Sequence, residues 1–221
     1  MISTVLFDLD GTLVDTAPDM AHSLNLLLTE QGEEALPHAI IRPHVSNGSE
    51  ALVTLGFGDA LENTRLQQLK KRYLEIYQTN IHIQSCLFPG MDKLLEKIEE
   101  AGKQWGVVTN KPSWLTEPLL ISMGLATRSA CMVSGDTTSQ RKPHPEPMYH
   151  ACQLIGVDST ECIYIGDARR DIEAGNNANM KTIIATYGYI AEWEDMSTWG
   201  ADALIDEPCE ILQHCGLSSA N

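Results

Sequence analysis

The chain lacks any basic stretch long enough to follow a nucleic-acid backbone: fifteen lysines and arginines face thirty acids across 221 residues, a formal charge of −15. That balance argues against nucleic acid as a partner, because such binding rests on clustered cations. Long apolar runs are missing too, and none approaches the roughly 18 residues of a membrane span. The amino terminus enters a strand after three residues, with neither a basic n-region nor an apolar h-region. The protein is therefore expected in the cytoplasm, away from the membrane. Cys86, Cys131, Cys152, Cys162, Cys209 and Cys215 are scattered, without CxxC spacing, so reduced thiols are expected rather than a metal ribbon or a disulfide framework. Internal repeats and low-complexity segments are also absent.

What is present suffices for a sizeable core, since 43% of the residues are hydrophobic, and a core plus an insert is expected. The organising stretch is Thr4-Val-Leu-Phe-Asp8-Leu-Asp10-Gly11-Thr12. Val5, Leu6 and Phe7 form an apolar run closed by acids, the pattern of a strand buried on both faces of a parallel sheet. If extended geometry continues through Leu9, Asp8 and Asp10 point to one side at the strand's carboxyl end, where open α/β sheets bind ligands. Asp-Gly between apolar segments is also a hairpin signal. The rest of the chain decides between the two.

After Asp15-Thr16, Met20, Leu24, Leu27 and Leu28 recur at helical spacing up to a stop at Gln31-Gly32. Residues 37–44 suit a short helix, Asn47-Gly48-Ser49 a loop and N-cap, and 50–55 another short helix ending near Gly56. Leu66, Leu69, Tyr73, Ile76 and Tyr77 give a longer amphipathic helix over about 63–80. The span 15–86 thus reads as helical, without a convincing strand. Beyond Pro89-Gly90 a βα rhythm sets in, with strands expected at 104–109, 130–134, 162–165, 181–185 and 203–205, and glycine stops at Gly102, Gly124 and Gly156 between them. Strands alternating with helices predict an α/β fold built on a doubly wound parallel sheet. Residues 1–14 and 87–221 form its Rossmann-like core and residues 15–86 an inserted all-helical cap domain. In that setting the hairpin reading weakens.

Four strand ends then deliver polar residues to one sheet edge: Asp8 and Asp10, Thr109 and Asn110, Lys142, and Asp167 with Asp171. Carboxylates crowded together repel and raise one another's pKa, so holding them ionised calls for a cation. Oxygen ligands without a His or Cys cluster point to Mg²⁺. Asp8 is the expected nucleophile, and Asp10 the acid that protonates the leaving alkoxide and then takes a proton from water. Lys142, with Thr109, supplies positive charge and hydrogen bonds to phosphate oxygens, and Lys142 also shields Asp8 from the anionic substrate. Pro143 and Pro145 restrict the backbone around that lysine.

In this order, Asp-x-Asp-Gly-Thr, strand-Thr-Asn, Lys-Pro and Gly-Asp-x-x-x-Asp resemble the motifs of the haloacid dehalogenase (HAD) superfamily, in its capped phosphatase branch, over nearly the whole chain. The resemblance implies a nucleophilic Asp8, an acid/base Asp10, phosphate binding by Thr109, Asn110 and Lys142, and Mg²⁺ held by Asp8, the Asp10 carbonyl and Asp167. Asp171 would orient the metal's waters or Lys142. Among capped members the chain looks like the phosphoglycolate phosphatases. It looks still more like the N-acetylmuramic acid 6-phosphate phosphatases of cell-wall recycling, through Trp105–Pro112, Lys142–Pro147, Tyr187–Ile190 and Trp199–Asp202. The implied partner is a small phosphorylated metabolite, met by a monomer or homodimer. In the cap, Arg42, Asn47, Gly48 and Ser49 are candidates for gripping the leaving group; Arg169 and Arg170 are weighed between reaching substrate and a solvated face, with the solvated face favoured. A receiver domain, a dehalogenase and a phosphomutase are the rival readings. The first expects its acceptor acid after the third strand, where Ser134-Gly135-Asp136 stands without a clear acidic pair at the first strand supporting it, and a helical insert follows the first strand. The second has no need of Asp10 or the metal, and the third separates only by its products.

Overall fold

The computed structural model describes residues 2–218. At its centre is β1 (Thr4–Phe7), whose four residues are all buried. It pairs in parallel with β4 (Gln104–Val108) on one side and β6 (Cys162–Gly166) on the other. Outward from β4 lies β5 (Met132–Val133), and outward from β6 lie β7 (Lys181–Ala185) and β8 (Ala203–Ile205), all parallel. The order β5-β4-β1-β6-β7-β8 reverses direction between β1 and β6. Such a switch point opens a crevice at the strands' carboxyl ends, and it is there that Asp8 follows β1 and Asp167 follows β6.

Alternation along β1 explains why the sheet is covered twice. Val5 and Phe7 pack into one apolar cluster with Leu94, Leu95 and Ile98 of α5 (Met91–Glu100) and Leu115 and Leu119 of α6 (Ser113–Ser122). Leu6 faces the other way. It joins Tyr164, Met148 and Cys152 of α7 (Glu146–Ile155), and Ala174 of α8 (Arg169–Asn177). This is the doubly wound α/β arrangement. The last helix among the described residues, α9 (Ile211–His214), packs near α5.

Between β1 and α5 lie the helices α1 (Ala17–Glu30), α2 (His38–Ile41), α3 (Gly48–Phe57) and α4 (Asn63–Thr79), with a 3-10 segment at Arg42–Asn47. α4 packs on α1 and α3, and its buried Leu69, Tyr73, Ile76 and Tyr77 fall on one face, as the spacing predicts. Two details differ from the sequence reading. Residues 15–86 are not free of strand: β2 (Val14–Asp15) and β3 (Cys86–Leu87) form a two-stranded antiparallel ribbon where the segment leaves and returns. Two-residue pairs carry no periodicity, so nothing marks them in sequence. The Asn47-Gly48-Ser49 turn is wound into helix on both sides, and the short helix runs on to Phe57 because Gly58, with φ 86°, supplies the stop in place of Gly56.

Asp19 ties the two ends of this segment together. Its fully buried carboxylate accepts from the backbone N–H groups of Ile83, Gln84 and Ser85 at 2.8–3.0 Å and from Ser85 Oγ at 2.7 Å. Asp19→Ala leaves the buried Ser85 donors and the part-buried N–H groups of Ile83 and Gln84 without their acceptor, and is expected to lower stability by about 3 kcal/mol. Thermal melting checks this, since for a chain of this length that loss lowers Tm by roughly 6–12 °C.

Candidate active site

Past β1 the chain turns sharply. Leu9 O accepts from the N–H groups of Leu13 and Val14 at 3.1 and 2.9 Å, and Gly11 takes φ 87°. A Cβ at Gly11 would lie 2.2 Å from Asp167 Oδ2, so this turn seats against the acid after β6 only because a glycine occupies it. Asp8 and Asp10 come out of the turn lining one cavity of about 550 Å³. Thr109, Asn110 and Lys142 line it as well.

Lys142 is the hub of the floor. Its side chain is 1% exposed, and Nζ lies 2.8 Å from Asp8 Oδ1, 2.7 Å from Asp171 Oδ1, 2.7 Å from Tyr164 OH and 3.0 Å from Val108 O. Tyr164 OH donates in turn to Val108 O at 2.7 Å, which leaves its lone pairs for the ammonium. Asn110 holds the lysine's backbone from both sides, donating from Nδ2 to Lys142 O and accepting at Oδ1 from Lys142 N. Asn110 thus contacts the lysine through its side-chain amide. Thr109 Oγ1 accepts from the N–H of Lys111.

Ligand oxygens of Asp8, Asp167 and Asp171, all buried, lie within 4.8 Å of one another. Burial, with the charges of Asp8 and Asp171 beside it, pushes the Asp167 carboxyl up to about 7. Burial also holds Asp171 above the usual carboxylate range, against the opposing pull of Lys142. Three carboxylates face two cations, the Lys142 ammonium paired with Asp8 and Asp171, and the Arg170 guanidinium near all three. That excess of negative charge, on hard oxygen donors without sulfur or imidazole among them, fits a divalent cation of the Mg²⁺ or Ca²⁺ type. The fit draws on Asp171 as well as Asp8 and Asp167, whereas the Asp10 side chain stands apart from the trio. Asp10 Oδ1 accepts from Thr16 Oγ1 at 2.7 Å and from Lys111 Nζ at 2.8 Å.

The helical segment supplies the opposite wall. Asn47, Gly48 and Ser49 line the cavity, together with Val45, Ser46, Tyr73 and Tyr77. Arg42 does not. It pairs with Asp15 at 2.8 Å and lies over the Tyr189 ring at 4.6 Å, beside the ribbon. Arg170, read from sequence as solvated, lines the cavity and donates to Ser46 O, while Arg169 is exposed and paired with Glu173.

Three further contacts had no counterpart in the sequence reading. Lys111 Nζ, buried, bridges Asp10 and Tyr77 OH at 2.8 Å each. Ser46 Oγ donates to Asp167 Oδ2 at 2.8 Å. The N–H of Tyr189 donates to the same oxygen at 2.9 Å. Tyr77 was legible as a core position, but a hydroxyl reaching across to another element leaves no periodic trace. Lys111 follows a Thr-Asn turn, a place where most lysines are solvated.

The family profile for haloacid dehalogenase-like hydrolases matches residues 5–185, from β1 through β7. The chain belongs to this family. Its HAD relatives include a phosphoglycolate phosphatase of Xanthomonas campestris, 41% identical over 95% of this chain and 94% of the relative. An N-acetylmuramic acid 6-phosphate phosphatase of Pseudomonas putida is 40% identical over 95% and 94%. Among solved HAD structures, a predicted phosphoglycolate phosphatase from Haemophilus somnus superposes with a TM-score of 0.86, at 28% identity, over 96% of this chain and 97% of that one. HAD relatives under both names thus match over the helical segment as well as the sheet. Among the described residues no helix is long and apolar enough to cross a membrane.

Proposed function

We propose that the protein is a Mg²⁺-dependent cytoplasmic phosphomonoesterase that hydrolyses N-acetylmuramic acid 6-phosphate through an aspartyl-phosphate on Asp8, with residues 15–86 serving as the cap over a core of 1–14 and 87–221. The observation that carries the reaction is Asp8 itself, a buried carboxylate at the cavity floor. Lys142 engages its Oδ1, and no hydrogen bond from the described residues reaches its Oδ2.

Asp8 Oδ2 attacks phosphorus, the P–O ester bond breaks, and Asp10 gives its proton to the departing alkoxide. Asp10 then takes a proton from water, whose oxygen attacks the phosphorus of the aspartyl-phosphate and releases inorganic phosphate. Asp8 is regenerated. Lys142 and Thr109 stabilise charge on the transferring oxygens, with Asn110 keeping Lys142 in register. Asp8, the Asp10 carbonyl and Asp167 would hold Mg²⁺, supported by Asp171. The ion supplies charge neutralisation between the nucleophile and the phosphoryl group.

The choice of a sugar acid phosphate rests on the cavity. About 550 Å³, walled by Tyr73, Tyr77 and Trp114, lies in the range that encloses a ring-sized ligand, and aromatic walls suit the apolar face of a sugar. Phosphoglycolate, with two carbons, leaves most of that space to water. It stays the second reading because relatives of that name are just as similar. Another sugar phosphatase, or a phosphomutase, is the further alternative. Phosphate release from N-acetylmuramic acid 6-phosphate, 2-phosphoglycolate and hexose phosphates separates them: phosphate means hydrolysis, and an isomerised sugar phosphate means a mutase. A preference for 2-phosphoglycolate over the sugar acid would overturn the substrate assignment.

Metal dependence gives its own expected result. A chelator abolishes turnover, added Mg²⁺ restores it, and Ca²⁺, larger and with looser coordination, does not. Full activity in excess chelator would remove the metal from the reaction.

A further inference from the structure

Five cations line the cavity: Lys70, Lys111, Arg141, Lys142 and Arg170. Four have partners. Lys70 pairs with Glu50 at 3.0 Å, Lys111 with Asp10 and Tyr77, Lys142 with Asp8 and Asp171, and Arg170 with Ser46 O. The Arg141 side chain is exposed and makes no ion pair or hydrogen bond among the described residues. In a chain with thirty acids and a formal charge of −15, a cavity-lining guanidinium that no carboxylate meets is out of keeping with its surroundings.

Its base, by contrast, is fixed. Arg141 O accepts from His144 N at 2.9 Å. The next residue is Lys142, clamped by the Asn110 amide at 3.0 and 3.1 Å. The side chain therefore springs from an anchored point one residue from the phosphate-site lysine, across a cavity that also holds the half-exposed Trp114.

We infer that Arg141 is a specificity-determining residue that pairs with a carboxylate on the leaving group, so that this enzyme selects phosphate esters that are also acids. The inference deepens the reading under Proposed function and rests on it: N-acetylmuramic acid 6-phosphate and 2-phosphoglycolate each carry one carboxylate besides the phosphate. A guanidinium meets a carboxylate with two parallel N–H···O bonds, a geometry that lysine cannot reproduce. Lys142 is committed to the floor, Lys111 to Asp10, Lys70 to Glu50 and Arg170 to Ser46 O, which leaves Arg141 to meet the second anion.

The test is the ratio of kcat/KM for N-acetylmuramic acid 6-phosphate to that for N-acetylglucosamine 6-phosphate, the same sugar without the acid-bearing ether. It is measured by phosphate release in the wild type, Arg141→Ala and Arg141→Lys. Arg141→Ala is expected to lower the ratio roughly ten- to a hundredfold, as for loss of a charged hydrogen-bonding partner. The change falls on KM for the acid, and Arg141→Lys restores part of it. An unchanged ratio in Arg141→Ala, with the wild type still favouring the acid, overturns the inference and leaves the substrate reading standing. If the wild type ignores the sugar acid but prefers 2-phosphoglycolate to ethyl phosphate, the substrate reading falls. Arg141 is then judged by the same ratio on that pair, a fall supporting it and no change overturning it. A wild type that prefers neither acid to its neutral counterpart overturns both.

Discussion

Asp8→Asn is expected to reduce phosphate release by roughly four orders of magnitude or more, because the carboxamide offers no anionic oxygen to attack phosphorus. The substitution is nearly isosteric at a buried position on the cavity floor, so the fold has no reason to fail. Electrostatics point the same way. The charge of Asp8 is one of the influences that raise Asp167 toward 7, and removing it relieves the crowding, while Lys142 keeps Asp171 as a partner at 2.7 Å. A melting temperature within a few degrees of the wild type, together with the absence of any protein species heavier by one phosphoryl group, is therefore the expected pair of results. A variant that folds and keeps a tenth of the activity would show that another group makes the bond to phosphorus.

The parts of this site that were legible in sequence are those written along single strands. Val5–Phe7 followed by Asp8, and Cys162–Ile165 followed by Asp167, carry their own signal. A fully apolar run bounded by acids suits a buried strand with its acids at the exit, the βα rhythm of the rest of the chain favours that over a hairpin, and the switch point between β1 and β6 then brings those exits together. Lys142 was legible through the prolines on either side of His144, which make a floppy lysine improbable there. Contacts that join separate elements were not legible. Tyr77 falls on the apolar face of α4, and its periodicity reports burial without saying that its hydroxyl reaches Lys111. Ser46 sits in a 3-10 segment with no apolar repeat, yet its hydroxyl donates to Asp167. Arg42 shows the converse: its charge drew attention as a substrate ligand, and the fold engages it with Asp15 at the base of the helical segment instead. Sequence periodicity records which face of an element is buried, whereas the partner of a polar tip is set by tertiary geometry.

Lys142→Ala is expected to lower kcat/KM by roughly a hundredfold, about 3 kcal/mol, the usual scale for losing one preorganised donor at a developing charge. It also strips the ammonium from a pocket holding Asp8, Asp167 and Asp171, and removing one partner of a buried ion pair costs about 3–5 kcal/mol of stability. The second effect has a sign that pH reveals. Asp167 titrates near 7 in the folded protein, above its value in the unfolded chain, because burial and its two neighbours disfavour the anion. A carboxyl with a raised folded-state pKa binds its proton more tightly when folded, so stability from this source is present at low pH and is lost as pH rises through about 7. Lys142 pulls the Asp171 carboxyl down against its burial, so without the ammonium Asp171 shifts further in that direction. In chelator, the difference in Tm between wild type and Lys142→Ala should therefore widen as pH rises across the neutral range. A difference that stays constant across that interval would mean that the lysine serves packing alone, and that Asp171 does not feel the charge of its ammonium.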